Sequence, residues 1–304
     1  MAHRNYSVSH LNGIRSSIAS TFKILHPNLP PLASQTKIEE FFKTKRNLEI
    51  KLPRPGQLRT WDTDIIYQYI KENWSDNSTL SLHTLQLKTV ALLCLATMGR
   101  PRSDIGRLQY QHVYIEEQNQ QAKAAIIHFT EAKETQIKTT QLGMVEDETL
   151  CMVRTLYSFM QRTSQRRSTL PVDHTLFLTY LDQEDKETTS IKPSTISGWL
   201  KTIMKDAGID TTIHTPHSFR SALGTKAAEQ GHSVDSIKQH ANWSKKSNTW
   251  EKHYYRPTNQ TSQSTAIANS IFSLTENLTT LSDGTQSTFV LIFFFGTKYI
   301  FILD

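Results

Sequence analysis

A chain of 304 residues, 37% hydrophobic and 9% aromatic, can bury one large core or two modest ones and is not compositionally disordered. Its net charge of +6, from 34 basic and 28 acidic residues, leans toward a polyanionic partner. Only two cysteines occur, Cys94 and Cys151, which excludes a disulfide framework and a cysteine-rich zinc site, and the twelve histidines form no HExxH spacing.

The opening MAHRNYSVSH lacks the apolar core of a signal peptide, so the sequons at Asn73, Asn77, Asn259 and Asn277 are expected to be silent. From Val8 to Leu25, the residues Val8, Leu11, Ile14, Ile18, Phe22 and Leu25 recur at helical spacing and predict an amphipathic helix. A second helix fits Lys37 to Lys45, with Ile38, Phe41 and Phe42 apolar. KLPRPGQLRT then breaks regular structure and reads as a linker.

The main body opens with WDTDIIYQYIKENW, where Asp62 or Thr63 can cap a helix carrying Ile65, Ile66, Tyr69 and Ile70. Leu82 to Met98 is apolar nearly all round, which marks a central core helix stopping at Gly99. Three segments, HVYIE, AAIIHFTEA and QIKTTQLGMV, have strand character and are separated by polar turns, as in a small antiparallel sheet. Helices resume at Thr149–Arg162, at Ser194–Ala207 with Ser194 as cap and Gly208 as stop, at Ser218–Gln230 and at Val234–His240. Helices, a small sheet, then helices again predict a mainly helical α+β fold.

Several residues stand out chemically. In HTPHSFR, Pro216 precedes a helix start, and His217 and Arg220 share one face at i and i+3, beside N–H groups that suit a phosphate. The bare H-x-x-R pattern is weak, because His253 and Arg256 match it too. In GRPRSDIGRL, Arg100 leaves a buried helix and can present its planar fork to an anion; the bland reading is an ion pair with Asp104. Lys133 lies at a hairpin tip and competes with Lys138 in the same region. Trp243, in HANWS, follows a short helix where a core tryptophan is the ordinary reading.

Taken in chain order, LLCLATMGRPRSDIGRL, HTPHSFRSALGTKAAEQG and HANWSKKSNTWEKHYYRP resemble the tyrosine recombinase (phage integrase) family over Trp61 to Pro257. RPRSDIGRL and HYYRP are most similar to the DIRS-like and Crypton-like recombinases of eukaryotic mobile elements. The resemblance implies residues 1–52 as a helical core-binding segment, 53–257 as a catalytic domain and 258–304 as a tail with a subunit-docking helix near 265–275. The first segment has fewer helices than the family's core-binding domain, a shortness that points to truncation.

By the same resemblance Arg100 and Arg220 bind the phosphate as charge accumulates in the pentavalent transition state. His217 assists proton transfer, Lys133 protonates the leaving 5′-oxygen, and the indole N–H of Trp243 donates to a phosphate oxygen. Tyr254 is the expected nucleophile, with Tyr255 as alternate, on the likeness to mobile-element endings such as HYxRP; the tyrosines follow Trp243 at a longer spacing than in bacterial members, a departure from the family pattern. The implied reaction cuts and rejoins DNA through a 3′-phosphotyrosyl enzyme without a divalent metal or other cofactor, on double-stranded DNA, in a homotetramer, and in the nucleus. The rival readings are an inactive DNA-binding relic and a type IB topoisomerase-like enzyme. The apolar run at 288–304 is too short and too interrupted for a membrane helix of about 20 residues and reads as a non-functional extension.

Overall fold

The computed structural model describes residues 6–49, 59–119, 121–130, 137–258 and 260–272. The chain divides into two compact units, Met1–Thr258 and Asn259–Asp304. In the second unit the described element is a helix, Gln260–Phe272, whose Ile267, Ile271 and Phe272 are exposed. It begins and ends earlier than the expected 265–275. The stretch at 50–58, most of the expected linker, and the apolar run at 288–304 lie outside the described residues. Among the described residues, no helix is long and apolar enough to cross a membrane.

The first unit opens with α1 (Val8–Leu25), the limits the spacing predicts, and α2 (Thr36–Leu48). Ser7 caps α1 through its side chain. The two helices meet where the Arg15 guanidinium lies 4.5 Å from the centre of the Phe42 ring, and the Val8 N–H donates to Glu49 at 2.9 Å.

The body is built around α4 (Leu82–Thr97), which follows α3 (Asp64–Asn73). At α3 the aspartate acts as the cap: the Asp62 carboxylate accepts from Asp64 N–H at 3.0 Å, while Thr63 makes no side-chain capping bond. Buried residues surround α4 on every face, including Leu85, Val90, Leu93 and Cys94. Its left-handed stop is Met98 at φ 51°, one residue before the expected Gly99. The glycine is needed for room instead: a Cβ there would lie 2.8 Å from Ile105 and 2.9 Å from Thr97.

Strands β1 (Val113–Gln118), β2 (Gln121–Phe129) and β3 (Lys138–Gly143) form an antiparallel sheet in sequential order. Ala125, Ile127 and Phe129 alternate into the core, and the register shifts between Glu116 and Glu117. The inward face packs on α5 (Met152–Arg167). Helix α6 (Pro193–Asp206) starts on Pro193 with Lys192 as its cap, rather than on Ser194, since proline is pre-set for the first helical position; it ends before Gly208 at φ +91°.

A 3-10 turn, Pro216–Ser218, precedes α7 (Phe219–Glu229), so His217 lies in the turn and Arg220 in the first helical turn. Then follow α8 (Val234–His240) and α9 (Thr249–His253), a five-residue helix with no period of its own that the sequence leaves unmarked. Mostly helical, with one small antiparallel sheet among the described residues, the architecture is the α+β class expected.

Candidate active site

Three chain segments converge beside the end of α4. The first is the turn Gly99–Arg107. Asp104, 6% exposed, accepts from the Arg100 backbone N–H at 2.9 Å and sits 3.5 Å from the Arg100 guanidinium. The Asp104 and Ile105 N–H groups both return to the Arg100 carbonyl, at 3.0 and 3.1 Å. Gly106 lets this turn press on the start of α6, because a Cβ there would lie 2.7 Å from the Pro193 carbonyl oxygen. The ion pair with Asp104 is therefore real, and it orients Arg100 without removing it from the cleft that Arg100 lines.

The second segment is the 3-10 turn and α7. Trp61 anchors it: its indole N–H donates to Ser218 at 2.7 Å and its ring meets Phe219 edge-on at 5.0 Å. Arg220 is 1% exposed and donates to the carbonyls of Met98 and Ala241, joining the ends of α4 and α8. Those carbonyls are the negative ends of helix dipoles, which is how so buried a cation is tolerated. The carbonyl that Arg220 meets on α4 belongs to Met98, the residue in the left-handed conformation.

The third segment runs from the end of α8 through α9. Asn242 at φ 54° turns the chain, and its side chain donates to Thr140 of β3 at 3.3 Å. Trp243 then lies 4.2 Å from the Arg220 guanidinium carbon, ring to cation. Helix α9 is fixed by Trp250, 1% exposed, and by Lys238 of α8, which bonds Glu251 at 2.6 Å and the Ser247 carbonyl at 2.7 Å.

At its end, the hydroxyl of Tyr254 lies 2.8 Å from His217 Nε2, and its ring centre lies 5.1 Å from that of Trp243 and 5.8 Å from the Arg220 guanidinium. Tyr255 turns away and stacks on Trp250 at 5.0 Å.

The result is an open cleft of about 750 Å³ whose lining includes Arg100, Arg102, Arg107, Ser197, His217 and Tyr254. His217 faces it. Loss of hydration, and then the positive charges of Arg220 and Arg100, hold its imidazole below the ordinary 6.5, while Asp104 opposes them. A neutral imidazole can accept a proton at Nε2 from the phenol; an imidazolium cannot. Positive charge, a proton acceptor and a phenol around one cleft are what nucleophilic attack on a phosphodiester demands. Among the described residues, no group of three or more His, Cys, Asp or Glu side chains is placed to hold a metal ion.

Of the expected site residues, Arg100, His217, Arg220, Trp243 and Tyr254 thus come together. Lys133 lies outside the described residues; its competitor Lys138 opens β3, half-buried and paired with Phe129. Sequence reasoning missed Ser221 and Thr225, which bond the backbone around Tyr254, and Gly224, which admits Trp250. Ser221 and Thr225 follow His217 at successive steps of four, a signal that was available.

Residues 57–261 match the model described as the phage integrase family. Among solved structures, the XerA recombinase is 17% identical, with 89% of this chain and 85% of that one covered, at a TM-score of 0.48. A XerH site-specific recombinase bound to difH substrate is 11% identical over 83% of this chain and 69% of that one, at 0.48. The Tn1549 transposon integrase in complex with circular intermediate DNA is 14% identical over 86% and 80%, at 0.46. No curated protein matches.

Proposed function

Since the chain belongs to the phage integrase family, we propose that it cuts and rejoins double-stranded DNA, with Tyr254 as the nucleophile. The observation that carries this reading is the 2.8 Å approach of the Tyr254 hydroxyl to His217 Nε2 inside a cationic cleft. The phenolic oxygen attacks the phosphorus as its proton passes to His217. The bond from phosphorus to the 5′-oxygen breaks, and the DNA is left joined to Tyr254 through a 3′-phosphotyrosyl ester. Attack by the 5′-hydroxyl of a second strand reverses these steps and frees the tyrosine. The ester keeps the energy of the original bond, so rejoining requires no other co-reactant.

Arg100, which lines the cleft, holds the nonbridging oxygens, while Arg220, buried and bonded to the Met98 and Ala241 carbonyls, adds positive charge that offsets the charge developing on them. Trp243 flanks Arg220 and donates its indole N–H to an oxygen. Lys133, with Lys138 as its competitor, protonates the departing 5′-oxygen. The likeness of RPRSDIGRL and HYYRP to DIRS-like and Crypton-like recombinases supports an origin in a eukaryotic mobile element, with action in the nucleus. Recombination of two duplexes by this chemistry uses four subunits.

A pool of nicked duplexes with randomised sequence around the nick tests the reading and finds the target together. The expected product is a protein–DNA adduct that survives denaturant, persists in Tyr255→Phe and disappears in Tyr254→Phe. An adduct lost only in Tyr255→Phe overturns the choice of nucleophile. Salt-sensitive DNA binding with no adduct from any duplex would instead establish the inactive relic.

A further inference from the structure

The hydroxyl of Tyr254 can meet His217 only if the backbone that carries it is fixed. Helix α9 has five residues and cannot hold itself. Two hydroxyls on α7 grip the chain where α9 ends. Ser221 Oγ donates to the carbonyl oxygen of Tyr254. Thr225 Oγ1 also reaches that carbonyl, at 3.4 Å, and accepts from the N–H of Arg256 at 3.0 Å. Thr225 is fully buried, so these bonds form away from water, where leaving either partner unmade is costly. Ser221 and Thr225 lie one and two turns beyond His217 along the same side of the chain. The element next to the proton acceptor therefore also sets the position of the phenol.

We propose that Ser221 and Thr225 are positioning residues for Tyr254, a clasp that holds its hydroxyl against His217 within the same chain. The inference rests on the proposed strand-cleavage chemistry, which assigns Tyr254 and His217 their roles. The clasp touches backbone alone and so adds nothing to DNA affinity. Its removal should slow cleavage and leave binding intact. A displacement of about 1 Å at a reacting group can lower a rate on the order of 100-fold.

The test compares wild type with Ser221→Ala, Thr225→Val, the double variant, and Thr225→Ser, which keeps the hydroxyl. Adduct formation on a nicked duplex should fall on the order of 100-fold in the double variant, with unchanged affinity for the duplex, and Thr225→Ser should restore the rate. The pH profile should change as well: without the contact to His217, the rate should keep climbing as pH rises past neutrality. A loss of stability alone would not move that profile.

A second measurement does not depend on activity. In ¹⁵N-histidine NMR of the free protein, the His217 Nε2 resonance should shift in Tyr254→Phe, and the double variant should reproduce the shift. If wild type forms no adduct, the proposed function falls, and this resonance still decides the clasp. A wild-type resonance in the double variant, or failure of Thr225→Ser to restore the rate, overturns it. If Thr225→Val does not fold, Ser221→Ala carries the same comparison.

Discussion

Two glycines inside helices, Gly198 in α6 and Gly224 in α7, should respond differently to the same substitution. Glycine in a helix interior is less favourable than alanine by about 1 kcal/mol. Gly198 is exposed and nothing lies within 4 Å of a Cβ built on it, so Gly198→Ala should stabilise the fold by about that amount. At Gly224 the new Cβ would lie 2.5 Å from Trp250 Nε1 and 3.4 Å from Cε2. Carbon contacts settle near 3.5–4.0 Å, so the indole must retreat by roughly 1 Å. It has little room: Trp250 is 1% exposed, with Tyr255 at 5.0 Å and Trp243 at 6.4 Å.

Overpacking of this kind costs about 1–3 kcal/mol, which meets or exceeds the helical gain. The two variants should therefore differ by about 1–3 kcal/mol, with Gly224→Ala the weaker. For a unit of this size each kcal/mol corresponds to about 2–4 °C in Tm, well within reach of thermal denaturation followed by circular dichroism. A Gly224→Ala protein as stable as Gly198→Ala would show that Trp250 does not approach α7 as described. A shift of Trp250 also carries the Tyr254 backbone, whose N–H bonds the Trp250 carbonyl at 2.8 Å, so Gly224→Ala should slow adduct formation too.

Other expectations follow from the same contacts. The folded His217 has a pKa below 6.5, so adduct formation should hold near neutrality and decline only as pH falls beneath 6.5, in a pH–rate profile; a decline already complete at pH 7 would contradict the neutral imidazole. Glu251 is held below the ordinary 4.5, chiefly by its hydrogen bond with Lys238. Its contribution is present above 4.5 and lost as pH falls through the folded value, so Glu251→Gln should flatten the acid side of a stability–pH curve. At Asn242, alanine should destabilise more than glycine by about 1–2 kcal/mol, because φ 54° suits glycine and burdens any other Cβ, as urea denaturation would show.

Local periodicity made much of the fold legible. The limits of α1 and α8, and the existence though not the limits of the three strands, were written in spacing and turn residues. The approach of His217, Arg220, Trp243 and Tyr254 was suggested by motif order alone, since no local rule links residues 37 apart. The short α9 escaped because it has less than two turns, and its position is set by Trp250 and Lys238 rather than by its own pattern. Only the resemblance, and no local pattern, favours Tyr254 over Tyr255 in the sequence; which ring meets His217 depends on how the chain leaves that helix. Arg220 reads in sequence as a solvated or phosphate-binding side chain, and its bonds to Met98 and Ala241 are visible only in space.

Those two bonds bear on how such chains are judged when they decay. A side chain that ties the ends of two helices together serves folding whether or not the chain cuts DNA. Its presence at position 220 is thus a poor witness to enzymatic life. The phenol oxygen at position 254 is different: phenylalanine would keep the ring against Trp243 and forfeit only the touch on an imidazole. In sorting working copies from fossils, the telling letter is the tyrosine.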